Sequence, residues 1–192
     1  MRNIRVEASA CLWWAVLLLF LPLRWLLAAV LAGSFHEFCH YLAIRAVGGK
    51  VEAVAIRLMG ASITTPPLEP RQELVCSLAG PVGSLVLVPF ARFLPMTALC
   101  ALVQCTFNLL PIYPMDGGRT LRCIMEICRP RVDASAICSK IGKYCSMLLA
   151  VLVFLLACRY SLGYWSVLPG LILLYRSFPG KRPCKTADLA LQ

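Results

Sequence analysis

Histidine is the scarcest chemistry-bearing residue in this chain: only His36 and His40 occur. The sequence therefore cannot build two separate histidine-paired metal sites. Acid is scarce too, with nine Asp and Glu against 19 Lys and Arg and a net charge of +10. Charged residues make up 15% of the chain and hydrophobic residues 60%, where soluble domains run at about 25% and about 45–50%. That balance, with a mean hydropathy of +0.77, argues against a soluble domain and for a membrane protein. No C-x-x-C pair is present, and the eleven cysteines are odd in number and scattered. A zinc ribbon and a disulfide framework are both disfavoured, and the cysteines read as small apolar packing residues. No internal repeat is visible, and no cluster of aromatic and basic residues suggests base stacking, so no nucleic-acid partner is expected.

A membrane span needs about 20 mostly apolar residues. An apolar hairpin runs from Ala10 to Val47, broken at Pro22-Leu23-Arg24, and its first arm is short. Further apolar stretches run over Leu74–Leu94, Met96–Tyr113, Tyr144–Cys158 and Leu162–Phe178. The fold class expected is an all-α membrane protein of about six transmembrane helices. Arg2 and Arg5 precede an apolar run, as in a signal peptide. No small-x-small cleavage site precedes Arg24, however, and cleavage near Gly33-Ser34 would fall beside the histidines. With six spans and both ends inside, only Arg24, Arg92 and Arg159 lie outside, leaving 16 of the 19 positives within. Cytoplasmic loops carry such an excess, and basic residues flanking spans face anionic lipid headgroups.

The two histidines stand four apart in His36-Glu37-Phe38-Cys39-His40, inside an apolar stretch from Trp25 to Val47. On a helix, i and i+4 share a face, so both imidazoles reach one metal ion. Glu37, beside His36, is placed to hold a water there. An acid in a membrane-length segment is costly without a partner or a role. H-E-x-x-H is the pattern of zinc metalloproteases, in which the Glu is the general base.

A catalytic zinc site needs three protein ligands and an open position, so a third ligand must come from elsewhere. Of the nine acids, only Asp116 sits in an apolar-flanked, distorted segment, Asn108-Leu109-Leu110-Pro111-Ile112-Tyr113-Pro114-Met115-Asp116-Gly117-Gly118-Arg119. Two prolines three apart cannot continue a regular helix. Gly117 and Gly118 permit a tight turn after Asp116.

Three motifs in order give this chain its family resemblance: His36-Glu37-Phe38-Cys39-His40, Ser77-Leu78-Ala79-Gly80-Pro81, and Asn108-Leu109-Leu110-Pro111 running into Met115-Asp116-Gly117-Gly118-Arg119. The chain resembles the site-2 protease family of intramembrane zinc metalloproteases, nearest its sporulation branch, that of stage IV sporulation protein FB. The resemblance implies that His36, His40 and Asp116 bind Zn2+, that Glu37 is the catalytic acid/base, and that Asn108 positions the substrate. It implies that Gly49 to Ile63 forms a small membrane-associated β-hairpin that pairs with an unwound substrate strand. Substrates would be membrane-embedded or membrane-tethered proteins, a pro-sigma factor among them, cut in a bacterial inner or forespore membrane. Residues 1–178 would be the protease domain and 179–192 a short cytoplasmic tail. The nucleotide-sensing CBS domain that the branch often carries, and the PDZ domains of other members, would not fit that tail, so control would fall to a regulatory membrane partner. The family usually has glycine where Cys39 stands, so helix packing should differ there. The rival reading is a polytopic metal transporter using the same His, Glu and Asp groups, which would call for further intramembrane ligands in symmetric halves.

The charge distribution yields a direct expectation: both termini and the loop from Pro114 to Lys143 face the cytoplasm. A membrane-impermeant thiol reagent added outside should miss Cys128 and Cys184. Strong labelling of either overturns this orientation.

Overall fold

The computed structural model describes residues 3–6, 22–57, 60–113 and 115–160. The expected first arm, Ala10–Leu21, and the last apolar stretch, Leu162–Phe178, lie outside the described residues. Two compact units divide the chain, 1–138 and 139–192.

Within the first unit, helix α1 (Leu23–Ala46) begins directly after Pro22, whose ring cannot sit inside a helix but suits its entry. Its 24 residues reach about 36 Å at about 1.5 Å per residue, enough for a hydrocarbon core of about 30 Å. Leu23, Leu27, Leu31 and Phe38 are exposed, as lipid-facing side chains are. Every fourth residue from Ala28 to Ile44 (Ala28, Ala32, His36, His40, Ile44) is buried. This i+4 row carries both histidines into the protein.

A small sheet flanks the helices. Strands β2 (Ala53–Arg57) and β3 (Gly60–Thr64) are antiparallel, with Ala53 opposite Thr64 and Arg57 opposite Gly60. The hairpin expected over Gly49–Ile63 is therefore present. The sequence reading had no first strand, but β1 (Asn3–Val6) adds to β2 in parallel, and the order is β1-β2-β3. Parallel neighbours need a long crossover, and α1 lies within it.

Helix α2 (Pro70–Leu85) starts on a reciprocal cap. The Glu69 side chain accepts from the backbone of Gln72, and the Gln72 side chain accepts from the Glu69 N–H. Pro70 occupies a first-turn position, where its missing N–H costs nothing. A short 3₁₀ turn over Val88–Arg92 leads to helix α3 (Pro95–Asn108). At 14 residues, α3 is about 21 Å long, shorter than the stretch Met96–Tyr113 suggested. The chain leaves the helix at Asn108, three residues before Pro111.

Helix α4 (Asp116–Cys128) corrects the expected turn: Gly117 and Gly118 lie in its first helical turn. A Cβ on Gly117 would run into the Leu109 and Leu110 carbonyls, and one on Gly118 into Ile112 and Tyr113. These glycines serve close packing of the helix start against the preceding segment. Helix α4 also packs on α2. There Glu73 accepts from Arg119 Nε at 3.3 Å and Arg122 Nη2 at 2.9 Å, and the Ser77 and Thr120 hydroxyls meet at 2.9 Å. Arg122 Nε lies 3.3 Å from Glu126 but out of line for a hydrogen bond, so that contact is ionic only.

Helix α5 (Ala134–Tyr160) is capped by Asp133, which accepts from the backbone N–H groups of Ser135 and Ala136. The second unit is described to residue 160, along the rest of this helix, and exposes Leu148, Leu152 and Leu155. Among the described residues, Leu23–Ala46, Pro70–Arg92 and Ala134–Arg159 are long and apolar enough to cross a membrane. No disulfide forms among the described cysteines. Burial pushes the Cys123 thiol up to about 11, which suits a packing residue.

Cys39 on α1 faces Gly83 on α2, where a glycine Cβ would overlap both its Sγ and its Cβ. Gly83→Ala should therefore cut the yield of folded protein and lower its melting temperature in detergent. Cys39→Gly in the same chain should restore both. If Gly83→Ala melts like the wild type, the close approach is not tight.

Candidate metal centre

Three helices deliver the site. His36 and His40 come from the buried row of α1, and Asp116 from the N-terminus of α4. A carboxylate is favoured there by the exposed N–H groups and the helix dipole. Asn108 is the last residue of α3.

His36 Nε2 lies 3.1 Å from His40 Nε2, and each lies 3.2 Å from Asp116 Oδ2. The three atoms form a nearly equilateral triangle. Ligand atoms held tetrahedrally at about 2.0–2.1 Å from zinc are separated by about 3.3 Å, close to these edges. His36 is 2% exposed and His40 8%, and among the described residues this is the one such group of potential ligands.

The outer face of each imidazole fixes what its inner face presents. His40 Nδ1 lies 2.7 Å from the Cys76 carbonyl oxygen, which only accepts, so Nδ1 carries the proton. The Ser84 hydroxyl donates to the Gly80 carbonyl at 3.0 Å, so it accepts from His36 Nδ1 at 2.9 Å. In the neutral ring one nitrogen donates and the other accepts. Both Nε2 atoms thus turn lone pairs towards Asp116. The Asp116 carboxylate, favoured as an anion at the N-terminus of its helix, is the third acceptor. Three acceptors therefore converge, one of them anionic. One proton on an Nε2 can point at only one of the other two. A second would bring two imidazolium charges to 3.1 Å, a repulsion of about 5 kcal/mol at an effective dielectric near 20. One central cation satisfies all three, and the donor set of two imidazoles and a carboxylate suits zinc.

Glu37 is half-buried beside His36, within electrostatic reach of both histidines, Asp116 and Arg119. Asn108 Nδ2 lies 3.2 Å from His36 Nε2. All five residues singled out in the sequence are thus in or beside one cluster. Three contributors were missed: Ser84, the Cys76 carbonyl and the space at Gly80. A Cβ on Gly80 would overlap the His40 ring, so glycine there opens His40's way to the carbonyl one turn earlier. A serine four residues after Gly80 in an apolar stretch was a readable signal. A backbone carbonyl gives none.

Residues 71–155 match the model of Peptidase family M50. A zinc metalloprotease of Methanocaldococcus jannaschii is 29% identical over 157 residues, covering 74% of this chain and 43% of that protein. A provisionally named zinc metalloprotease of Synechocystis sp. is 30% identical over 183 residues, covering 85% of this chain and 47% of that protein. The chain thus spans about half the length of these curated relatives. The solved site-2 protease of Methanocaldococcus jannaschii superposes with a TM-score of 0.65 at 23% identity, over 91% of this chain and 88% of that one. These relatives and the His36–His40–Asp116 group imply Zn2+ as the cofactor.

His36→Ala or His40→Ala should each abolish bound zinc in the purified protein, since no third histidine exists. Gly80→Ala should do the same by displacing the His40 ring. Full zinc occupancy in the His36/His40 double variant, measured by elemental analysis, overturns the site.

Proposed function

We propose, from the M50 site-2 protease family that these matches support, that this chain is an intramembrane zinc metalloprotease. His36, His40 and Asp116 are its metal ligands and Glu37 its general acid/base. The observation that carries this reading is the convergence of the His36, His40 and Asp116 acceptor atoms on one point, with the Glu37 carboxyl alongside. His36, His40 and Asp116 would hold Zn2+, which would supply polarisation of a scissile carbonyl and a water whose pKa is lowered to about 7. The Glu37 carboxylate takes the proton of the attacking water and passes it to the leaving amine nitrogen. The Asn108 amide, at the rim of the triangle, donates to the substrate carbonyl oxygen and orients it.

The substrate is a membrane-embedded or membrane-tethered protein. A transmembrane helix hides its carbonyls in its own hydrogen bonds, so it must unwind before attack. Among the described residues strand β3 borders β2 on one side only, and an extended substrate segment can add to its other edge. The finer reading is a pro-sigma factor released into the cytoplasm at a bacterial, forespore-type membrane. It requires a site near the cytoplasmic leaflet. His40 precedes Arg45 by five residues, about 8 Å along the helix, and Asp116 precedes Arg119 by three. A six-span topology with both termini inside belongs to the same reading. The transporter alternative is not favoured by the family match.

Glu37→Gln should keep its zinc and lose peptide-bond cleavage by at least about 100-fold, the lower range for general acid–base catalysis. Comparative membrane proteomics of cells carrying the wild type or Glu37→Gln should show fragments only with the wild type. Undiminished cleavage by Glu37→Gln overturns its role. Co-expressed sigma precursors left whole while an unrelated single-span protein is cut would overturn the sporulation substrate alone.

A further inference from the structure

The two histidines are oriented by unlike partners. His40 is held by a backbone carbonyl, which no substitution removes directly. His36 is held by one side chain, Ser84 Oγ at 2.9 Å. Ser84 is fully buried, and its hydroxyl has a single proton. That proton goes to the Gly80 carbonyl, one turn back on the same helix. A serine in a membrane helix often bonds back in this way, and such a bond alone would mean nothing. Here it has a consequence, because it leaves only lone pairs on Oγ for the His36 ring. His36 must then donate from Nδ1 and keep Nε2 bare. Were the hydroxyl turned round to donate to Nδ1, Nε2 would carry the proton and point it into the triangle, where it would exclude a cation.

We propose that Ser84 is the positioning residue of the metal centre, fixing the ring orientation and tautomer of His36 through the chain Gly80 carbonyl, Ser84 hydroxyl, His36 Nδ1. This rests on the metal-site reading above and extends it to a residue that never touches the metal. The Gly80 position serves both histidines at once. Its missing Cβ admits the His40 ring, and its carbonyl orients the hydroxyl that orients His36. One helical turn, Gly80 to Ser84, therefore organises both nitrogen ligands.

The test compares purified wild type, Ser84→Ala and Ser84→Thr by zinc competition against a chromogenic chelator, by the visible spectrum of the cobalt-loaded proteins, and by melting temperature without metal. Ser84→Ala should bind zinc about 10–100-fold more weakly, the usual cost of losing an outer partner of a ligating histidine, with a shifted cobalt spectrum. Its metal-free melting temperature should fall modestly, since one buried donor loses its partner. Ser84→Thr keeps the hydroxyl and should restore both the affinity and the spectrum. Equal zinc affinity in wild type and Ser84→Ala overturns the proposal while leaving the metal site standing. Equal loss of affinity and stability in both variants also overturns it, since packing and not the hydroxyl would then be at work. A wild-type chain that takes up neither zinc nor cobalt overturns the site itself and this proposal with it.

Discussion

Three lone pairs aimed at one point, within 3.1–3.2 Å of one another, are the constraint around which the described helices are arranged. Left to themselves, two imidazole nitrogens and a carboxylate would turn away from each other towards donors. They are kept facing inward because each histidine already spends its one proton on the outer side, at Cys76 or at Ser84. The centre is thus assembled from behind. The cost of gathering acceptors is met by hydrogen bonds on the far faces of the rings, and the inner faces are left short of positive charge. A site so arranged takes a cation as its missing part. The same logic explains why Asp116 stands at a helix N-terminus, where exposed N–H groups favour its anion.

Helix α2 holds this arrangement together. Cys76, Gly80 and Ser84 lie four residues apart on one buried face, and all three meet the histidines. The opposite demand, that Asp116 stay opposite them, is met by fastening α4 to the same helix. Glu73 binds Arg122 Nη2 at 2.9 Å and Arg119 Nε at 3.3 Å. Hydrogen bonds to charged groups contribute about 1.5–3 kcal/mol when shielded. Arg119 is 37% exposed, so its share is nearer the about 0–1 kcal/mol of surface pairs. The Arg122 contact and the part-buried Ser77–Thr120 hydroxyl pair are therefore the stronger fastenings. One helix positions ligands from two others.

Much of this was legible in the sequence because it depends on local periodicity. His36 and His40 at i and i+4 must share a helix face, the apolar flanks require that face to be buried in a membrane protein, and Pro111 and Pro114 forbid a continuous helix into Asp116. The hairpin over Gly49–Ile63 was expected from the family resemblance and not from any strict alternation in the sequence. What escaped depends on contacts between elements distant in sequence. The outer partners of the histidines come from 36 and 48 residues away, and one of them is main chain, which has no residue signature. Strand β1 was hidden because four residues gain strand structure only from a partner about 50 positions on. Gly117-Gly118 read as a turn because glycine favours turns. The structure uses them for closeness instead, since the helix that follows them starts against the Leu109–Tyr113 segment.

Cys39 shows how closeness is redistributed when one helix of a membrane pair carries a larger residue. Between apolar helices in lipid there is little hydrophobic drive, and association relies on small residues that let backbones approach. The related family usually has glycine at this position of α1, and a cysteine there should push α2 away. Here α2 offers Gly83 directly opposite, with no Cβ to meet the thiol. The pair therefore keeps the depth of contact with the bulk on one side only. That depth is what the centre needs. Gly80 and Gly83 lie one turn apart on α2, the first receiving the His40 ring and the second the Cys39 side chain. Any retreat of α2 at Gly83 would also lengthen the bond from His40 Nδ1 to the Cys76 carbonyl and that from His36 Nδ1 to Ser84. Helix packing at Cys39 and ligand orientation at His36 and His40 are thus one geometric requirement, met by a glycine-lined face of a single helix.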